Sequence, residues 1–219
     1  MTNNNNNRKN LDKSKIDSRK FYYFFKRFGD IVLSGAALII LAIFFLIIAI
    51  LIHLEDRGPA FYSQTRVGKN GKMFKIYKFR SMTVDADEKL AELKKYNEID
   101  GLMFKMKDDP RITKVGKFLR KTSIDELPQF LNVFKGDMSL VGPRPPLVSE
   151  YMNYSDYDKQ RLYVVPGCTG LWQATVRNSV GFSKMVQIDL DYIERQSIWL
   201  DLKIIFMTVK VMLFPNGAY

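Results

Sequence analysis

Asp125 and Glu126 are adjacent carboxylates in the run Arg120-Lys121-Thr122-Ser123-Ile124-Asp125-Glu126-Leu127-Pro128-Gln129. Further on, Arg144 is held between Pro143 and Pro145. Neighbouring carboxylates can hold a hard cation such as Mg²⁺, and a fixed guanidinium can hold a phosphate. A carboxylate kept ionised and aimed at a phosphorus is also a nucleophile. Prolines on both sides fix φ and remove two backbone donors, which suits aiming a guanidinium better than building a core. Together these residues point to phosphoryl chemistry.

Each feature also has a plainer reading. Ser123-x-x-Glu126 fits a capping box, with Asp125 complementing the dipole of a helix first turn. Gly142-Pro143-Arg144-Pro145 could be a surface turn. Composition narrows the choice. The chain has 219 residues and a net charge of +11, which favours anionic partners: nucleic acid, acidic lipid or phosphorylated substrates. Cys168 is the only cysteine and His53 the only histidine, so a disulfide framework, a Cys-rich zinc site and a Ser-His-Asp triad are all disfavoured. The basic residues cluster beside apolar segments and no nucleic-acid motif is present, which argues against a nucleic-acid partner.

The elements that must position these residues begin with an Asn-rich, basic stretch, 1–20, read as a disordered tail. Residues 21–54 form an interfacial and membrane segment: Phe21 to Phe28 is aromatic and basic, and Ile31 to Ile52 carries no charge. Its 22 uncharged residues could cross about 30 Å of hydrocarbon. Positive charge flanks it on both sides, Lys26 and Arg27 before, Arg57 to Arg80 after. A helix that enters, bends and returns on the same side satisfies both flanks.

Residues 55–219 then make one catalytic domain. Phe61 to Val67 and Met73 to Phe79 flank Gly68-Lys69-Asn70-Gly71, a hairpin signal with a tight primed turn at Asn-Gly. Lys78 and Arg80 at the end of the hairpin could reach a phosphate. Helical patterns follow at Asp85–Ile99 and Arg111–Lys121, the second basic and amphipathic, with a mobile connection over Asp100–Pro110 between them. Gln129–Phe134 reads as a short helix stopped at Gly136, and Val186–Arg195 as another helix. Ser197–Phe214 is apolar but interrupted by Asp201, Lys203 and Lys210, which suits docking at an interface. Arg177, after Trp172-Gln173, is a further candidate anion contact. The fold class read from this order is α+β, with a hairpin, short amphipathic helices and one N-terminal re-entrant membrane helix.

The ordered motifs resemble the monotopic phosphoglycosyl transferases, also called bacterial sugar transferases or polyprenyl glycosylphosphotransferases. The resemblance runs from about Phe21 to Leu213. Its motifs are Gln64-x-Arg66-x-Gly68-x-x-Gly71, Lys78-Phe79-Arg80-Ser81-Met82, Lys107 to Thr113, Arg120 to Gln129, Gly136 to Pro145, Pro166 to Gln173 and Trp199-Leu200-Asp201-Leu202-Lys203. So many in order outweigh the capping-box reading. The resemblance implies transfer of a sugar phosphate from a UDP-sugar to undecaprenyl phosphate with release of UMP. By that match Asp125 attacks the β-phosphorus and forms a covalent phosphosugar intermediate. Asp125 and Glu126 would bind Mg²⁺, with Glu126 assisting the metal or the acceptor phosphate. Lys78, Arg120 and Arg144 match basic positions near the family's active site, and Asp189 matches a recurrent acid. The implied setting is the cytoplasmic face of the bacterial inner membrane, at the first membrane step of exopolysaccharide, capsule, O-antigen or glycoprotein glycan assembly. Larger members carry extra N-terminal membrane helices, so this chain is expected to be a minimal catalytic form. The resemblance names neither the sugar nor an oligomeric state.

Two departures stand out. Where the family breaks its membrane helix with Ser-Pro, this chain has Ala42 and Ile43, which removes the clearest cause of a bend; Ser34-Gly35 could contribute a kink instead. Val176 stands where the family often has glycine, so the loop Ala174–Asn178 is expected to differ. Rival functions are a glycosyltransferase that releases UDP and a non-catalytic membrane adaptor. The intact dyad argues against the adaptor.

Overall fold

The computed structural model describes residues 10–93, 106, 108–176 and 180–213. It mixes many helices with two small sheets, in keeping with an α+β class. A short helix, α1 (Lys13–Asp17), precedes a bent pair, α2 (Lys20–Ile40) and α3 (Ala42–Asp56). Among the described residues no single helix is long and apolar enough to cross a membrane, but this pair passes that test together, bent by 59°. The break falls at Leu41 (φ −88°, ψ 1°), beside the Ala42-Ile43 positions and away from Ser34-Gly35.

No proline is needed for the bend because each arm is held to a different part of the domain. On α2, Arg27 donates to the carbonyls of Val133 and Phe134, and Asp30 accepts from the Leu140 N–H at 2.9 Å. On α3, Glu55 accepts from the N–H groups of Lys114 and Val115, and Asp56 takes the Arg80 guanidinium in a two-point pair. Ile48 and Ile52 of α3 are buried with Phe79 and Leu119.

The hairpin strands β1 (Phe61–Val67) and β2 (Met73–Phe79) pair antiparallel, Phe61 opposite Phe79 and Val67 opposite Met73. These are the bounds read from the sequence. The turn is a correction. Gly68 to Lys72 separate the paired ends, and Lys69–Gly71 form a 3₁₀ turn, not a two-residue primed turn. Asn70 and Gly71 do take positive φ, 55° and 81°. The Gly68 N–H donates to the Lys72 carbonyl, which closes the loop further out.

Helix α4 (Ala86–Leu93) covers the described part of the charged stretch. Most of the expected connection over 100–110 lies outside the described residues, but its end is fixed: Asp109 and Arg111 form a buried ion pair at 2.6 Å. Helix α5 (Lys114–Thr122) starts later than Arg111 because Thr113 caps it, accepting from the Gly116 N–H. Gly116 lets α5 cross the backbone, since a Cβ there would lie 2.0 Å from the Ser81 carbonyl oxygen. Leu119 of α5 is fully buried, so truncation to Ala should cost about 2–5 kcal/mol.

A 3₁₀ turn at Ile124–Glu126 leads into α6 (Gln129–Lys135), which ends at Gly136 with φ 92°. Strand β3 (Ser139–Val141) pairs parallel with β4 (Gly167–Thr169). Between them lie α7 (Val148–Met152), α8 (Asp156–Lys159) and a 3₁₀ turn at Gln160–Tyr163. Helices α9 (Leu171–Thr175), α10 (Phe182–Arg195) and α11 (Ile198–Leu213) close the described chain. Val141, Val164, Val186, Ile193 and Ile204 form the main core.

The tail reading is corrected for residues 10–20. Ile16 is buried in the main core, Leu11 and Asn10 bond the Gln160 side chain, and Arg19 donates to the carbonyls of Ile193 and Glu194. Two apolar residues, Ile16 and Leu11, together with these hydrogen bonds dock a stretch whose composition looks disordered. Asp201 of α11 takes Lys26 at 2.7 Å and the hydroxyls of Tyr22 and Tyr192, locking α11 to α2. Outward, α2, α3 and α11 present Phe21, Phe24, Ile39, Ile43, Trp199 and Phe206, all well exposed. Such a burden of exposed large apolar side chains marks an interaction surface.

Candidate active site

Ser123 creates the turn that carries the dyad. It adopts the left-handed conformation (φ 57°, ψ 18°), which is uncommon for a residue with a Cβ, and it ends α5 abruptly. The capping-box reading is thereby overturned. The Ser123 side chain caps nothing, and the Glu126 N–H donates to the Ser123 backbone carbonyl at 3.2 Å. Asp125 and Glu126 stand on the 3₁₀ turn, not at an α-helix start.

The two carboxylates have different surroundings. Glu126 Oε1 accepts from Lys78 Nζ at 2.5 Å. Burial alone would raise the Glu126 pKa, but Lys78, Arg144 and Arg66 outweigh it and hold the carboxyl below its usual range. Burial pushes Asp125 up to about 6, the negative Glu126 adding to it while Lys78 and Arg120 oppose. Adjacent groups with pKa values driven apart can take distinct roles.

Arg144 is aimed by its neighbours' carbonyls. Pro143 O accepts from the Gly167 N–H at 2.9 Å, and Pro146 O from the Val67 N–H at 3.0 Å. Arg144 O accepts from Arg161 and Pro145 O from Arg66. Four successive carbonyls are thus bonded to three different segments. The prolines contribute no N–H donors that would need partners of their own.

A small polar pocket of about 40 Å³ is lined by Lys78, Arg144, Arg66, Gln129, Glu126 and Gln173. A larger cavity of about 610 Å³ meets it at Glu126, Cys168 and Gln173. The larger space has Arg120, Ser123 and Glu126 in its wall, with Leu33 and Ala37 from α2 and Ile205, Val209 and Met212 from α11. Its size and mostly apolar lining with few polar groups suit a ligand that has an apolar body. The dyad turn therefore borders both a cationic pocket and an apolar cavity walled by α2 and α11.

The remaining expected contacts are placed elsewhere. Arg80 is buried against Asp56 and the Pro59 carbonyl, so it ties α3 to the hairpin and does not reach the polar pocket. Asp189 is fully buried in an ion pair with Arg161 at 2.7 Å, and burial raises it to about 6. Among the described residues it reaches the site through Arg161, which also bonds Tyr154 and the Arg144 carbonyl. Arg177 lies outside the described residues; Val176 beside it has φ −102°, as a β-branched residue prefers. Sequence reasoning did not assign Arg66, Arg161 or Gln173 to the site. Arg66 was visible only as a motif member on a strand, and Arg161 carried no signal at all.

Among the described residues no three metal-ligating side chains cluster. One or two carboxylates are the donor chemistry that Mg²⁺ commonly uses, completed by substrate phosphates and water, and here one oxygen of Glu126 is taken by Lys78.

A family model described as bacterial sugar transferase matches residues 21–215. The chain is 53% identical over 208 residues to a galactosyl transferase, CpsE, of Streptococcus agalactiae, covering 92% of this chain and 46% of that protein. It is 46% identical over 205 residues to an undecaprenyl-phosphate galactose phosphotransferase of Salmonella typhimurium, covering 89% of this chain and 41% of the relative. The chain thus spans less than half the length of these two relatives. It is also 40% identical to the exopolysaccharide production protein ExoY of Rhizobium meliloti, covering 89% of this chain and 88% of that one.

Proposed function

The chain belongs to the bacterial sugar transferase family, and from that premise we propose that it moves a sugar-1-phosphate from a UDP-sugar to undecaprenyl phosphate, releasing UMP. The observation that carries this reading is the dyad turn, whose Glu126, next to Asp125, stands in the walls of both a cationic pocket and an apolar cavity. A water-soluble diphosphate and a lipid phosphate need those two environments, and they need them to meet at one reactive group. The names of relatives that act on undecaprenyl phosphate support it.

Asp125 is the nucleophile. Glu126 is committed to Lys78, whereas Asp125 has a pKa of about 6 and is mostly ionised at neutral pH. Its carboxylate oxygen bonds to the β-phosphorus while the bond to the UMP oxygen breaks, and UMP leaves with that electron pair. An oxygen of the lipid phosphate then attacks the same phosphorus and expels the Asp125 carboxylate. Two displacements at one carboxylate let two anionic partners use one site in turn. Lys78, Arg120 and Arg144 neutralise the phosphates around this exchange. Asp125 and Glu126 would hold Mg²⁺, which supplies further charge neutralisation when bound.

The bent pair enters one leaflet and returns, keeping the domain on the cytoplasmic face, with α11 lying in the interface. The product would start an exopolysaccharide, capsule, O-antigen or glycoprotein glycan. The test quantifies UMP and UDP separately from purified protein, Mg²⁺, undecaprenyl phosphate and a panel of UDP-sugars. UMP release abolished by Asp125→Asn is expected. UDP release would move the reading to ordinary glycosyl transfer, and full turnover by Asp125→Asn would remove Asp125 as nucleophile.

A further inference from the structure

Arg66 on β1 is only 7% exposed, yet its Nε–H has no hydrogen-bond partner among the described residues. Its other nitrogens are occupied: Nη1 donates to the Pro145 carbonyl at 3.2 Å and Nη2 to Gln64 Oε1 at 2.8 Å. A buried donor on a charged group is costly to leave unmade, so an orphan beside a cavity asks for a ligand. Arg66 lines the 40 Å³ polar pocket, and so does Gln173, whose Oε1 is likewise buried without a partner among the described residues. That volume holds about three waters or one phosphoryl group.

The pocket gathers Arg66, Lys78 and Arg144 against a single carboxylate, Glu126. Burial, then the positive charge of Arg144, depresses Arg66 to about 10, which leaves it protonated at neutral pH. Cations held this close favour an anion between them. No residue of α2, α3 or α11 lines the pocket, whereas α2 and α11 wall the apolar cavity. A lipid tail therefore has its place in the apolar cavity, with Arg120 near the dyad. The polar pocket has room for a phosphoryl group without a tail.

We infer that Arg66 is a further phosphate-binding residue, and that its pocket holds the phosphoryl group that leaves with the nucleotide and not the lipid phosphate. This rests on the transferase reading above. The Nε–H meets a phosphate oxygen while Nη1 keeps the Pro145 carbonyl in place, so one guanidinium both binds and shapes the loop that aims Arg144.

The experiment measures equilibrium binding of UMP, inorganic pyrophosphate and farnesyl phosphate to the full chain in nanodiscs. Wild type is compared with Arg66→Gln and Arg66→Lys, and thermal unfolding checks each variant. Arg66→Gln should weaken UMP and pyrophosphate about tenfold or more, the loss of one charge-assisted contact, and leave farnesyl phosphate within about twofold. Arg66→Lys keeps the charge but lacks the Nε–H, should still weaken UMP severalfold, and decides the matter if the Gln variant does not fold. Unchanged UMP binding in the folded variants would overturn the assignment with the transferase reading intact. Loss of farnesyl phosphate alone would overturn the donor-side placement. Wild type that binds none of the three ligands would sink the transferase reading and this assignment together.

Discussion

Lys78 Nζ sits 2.5 Å from Glu126 Oε1, joining the end of β2 to the dyad turn forty-eight residues later. The hairpin thereby serves as the fixed wall against which the dyad is set. Replacing Lys78 with Met should let the Glu126 pKa rise and cut donor kcat/KM by about 10²-fold, near the 2–3 kcal/mol of one charge-assisted contact. Lys78→Arg should recover part of the loss. Steady-state kinetics checks this, and wild-type rates in Lys78→Met would contradict it.

Asp125 makes activity and stability pull in opposite directions. Its pKa of about 6 means that donor kcat/KM should rise with pH below about 6 and level off above it. The folded form binds this proton more tightly than the unfolded chain. Stability therefore falls as pH rises from the ordinary carboxylate value toward 6. Asp125→Asn should be inactive yet more stable at pH 7.5, by about 1–3 kcal/mol. Denaturant titration at pH 5 and pH 7.5 reads both the gain and its pH dependence; a variant less stable at pH 7.5 would refute it.

Asp189 holds the fold and positions Arg161. Asp189→Ala leaves a buried arginine unpaired and should cost about 3–5 kcal/mol. Asp189→Asn should cost less, and the folded protein that remains should bind the donor with a near-normal KM. A large KM increase with intact stability would restore Asp189 to a binding role.

The bend at Leu41 lacks a proline, and adding one nearby should be harmless. Ile43 lies in the first turn of α3 and is 75% exposed, so Ile43→Pro should keep activity and topology. Ile47→Pro, inside the helix, should cost about 3 kcal/mol or more. Labelling of a cysteine placed at Ser18 and another at Ser63, from the cytoplasmic side, reports topology. Opposite accessibilities in wild type would replace re-entry with a spanning helix.

Local order wrote much of this protein in plain view. Strand alternation bounded by Gly68 and Gly71 located the hairpin, because period-two patterning and turn residues act over a few positions. Asp125-Glu126 and Pro143-Arg144-Pro145 were legible for the same reason: their chemistry lies in neighbouring residues. Tertiary structure decided what depends on distant partners. It placed Ser123 in a left-handed turn, gave Lys78 to Glu126 but Arg80 to Asp56, and buried Asp189 against Arg161. It bent the α2–α3 pair without proline, because Arg27 and Asp30 anchor one arm and Glu55 and Asp56 the other. It set Arg66, its Nε without a partner among the described residues, in the wall of a cationic pocket that no run of neighbouring residues encodes. Ion pairs and orphaned donors are set by contacts between residues far apart in the chain, and those contacts exist only once the chain has packed.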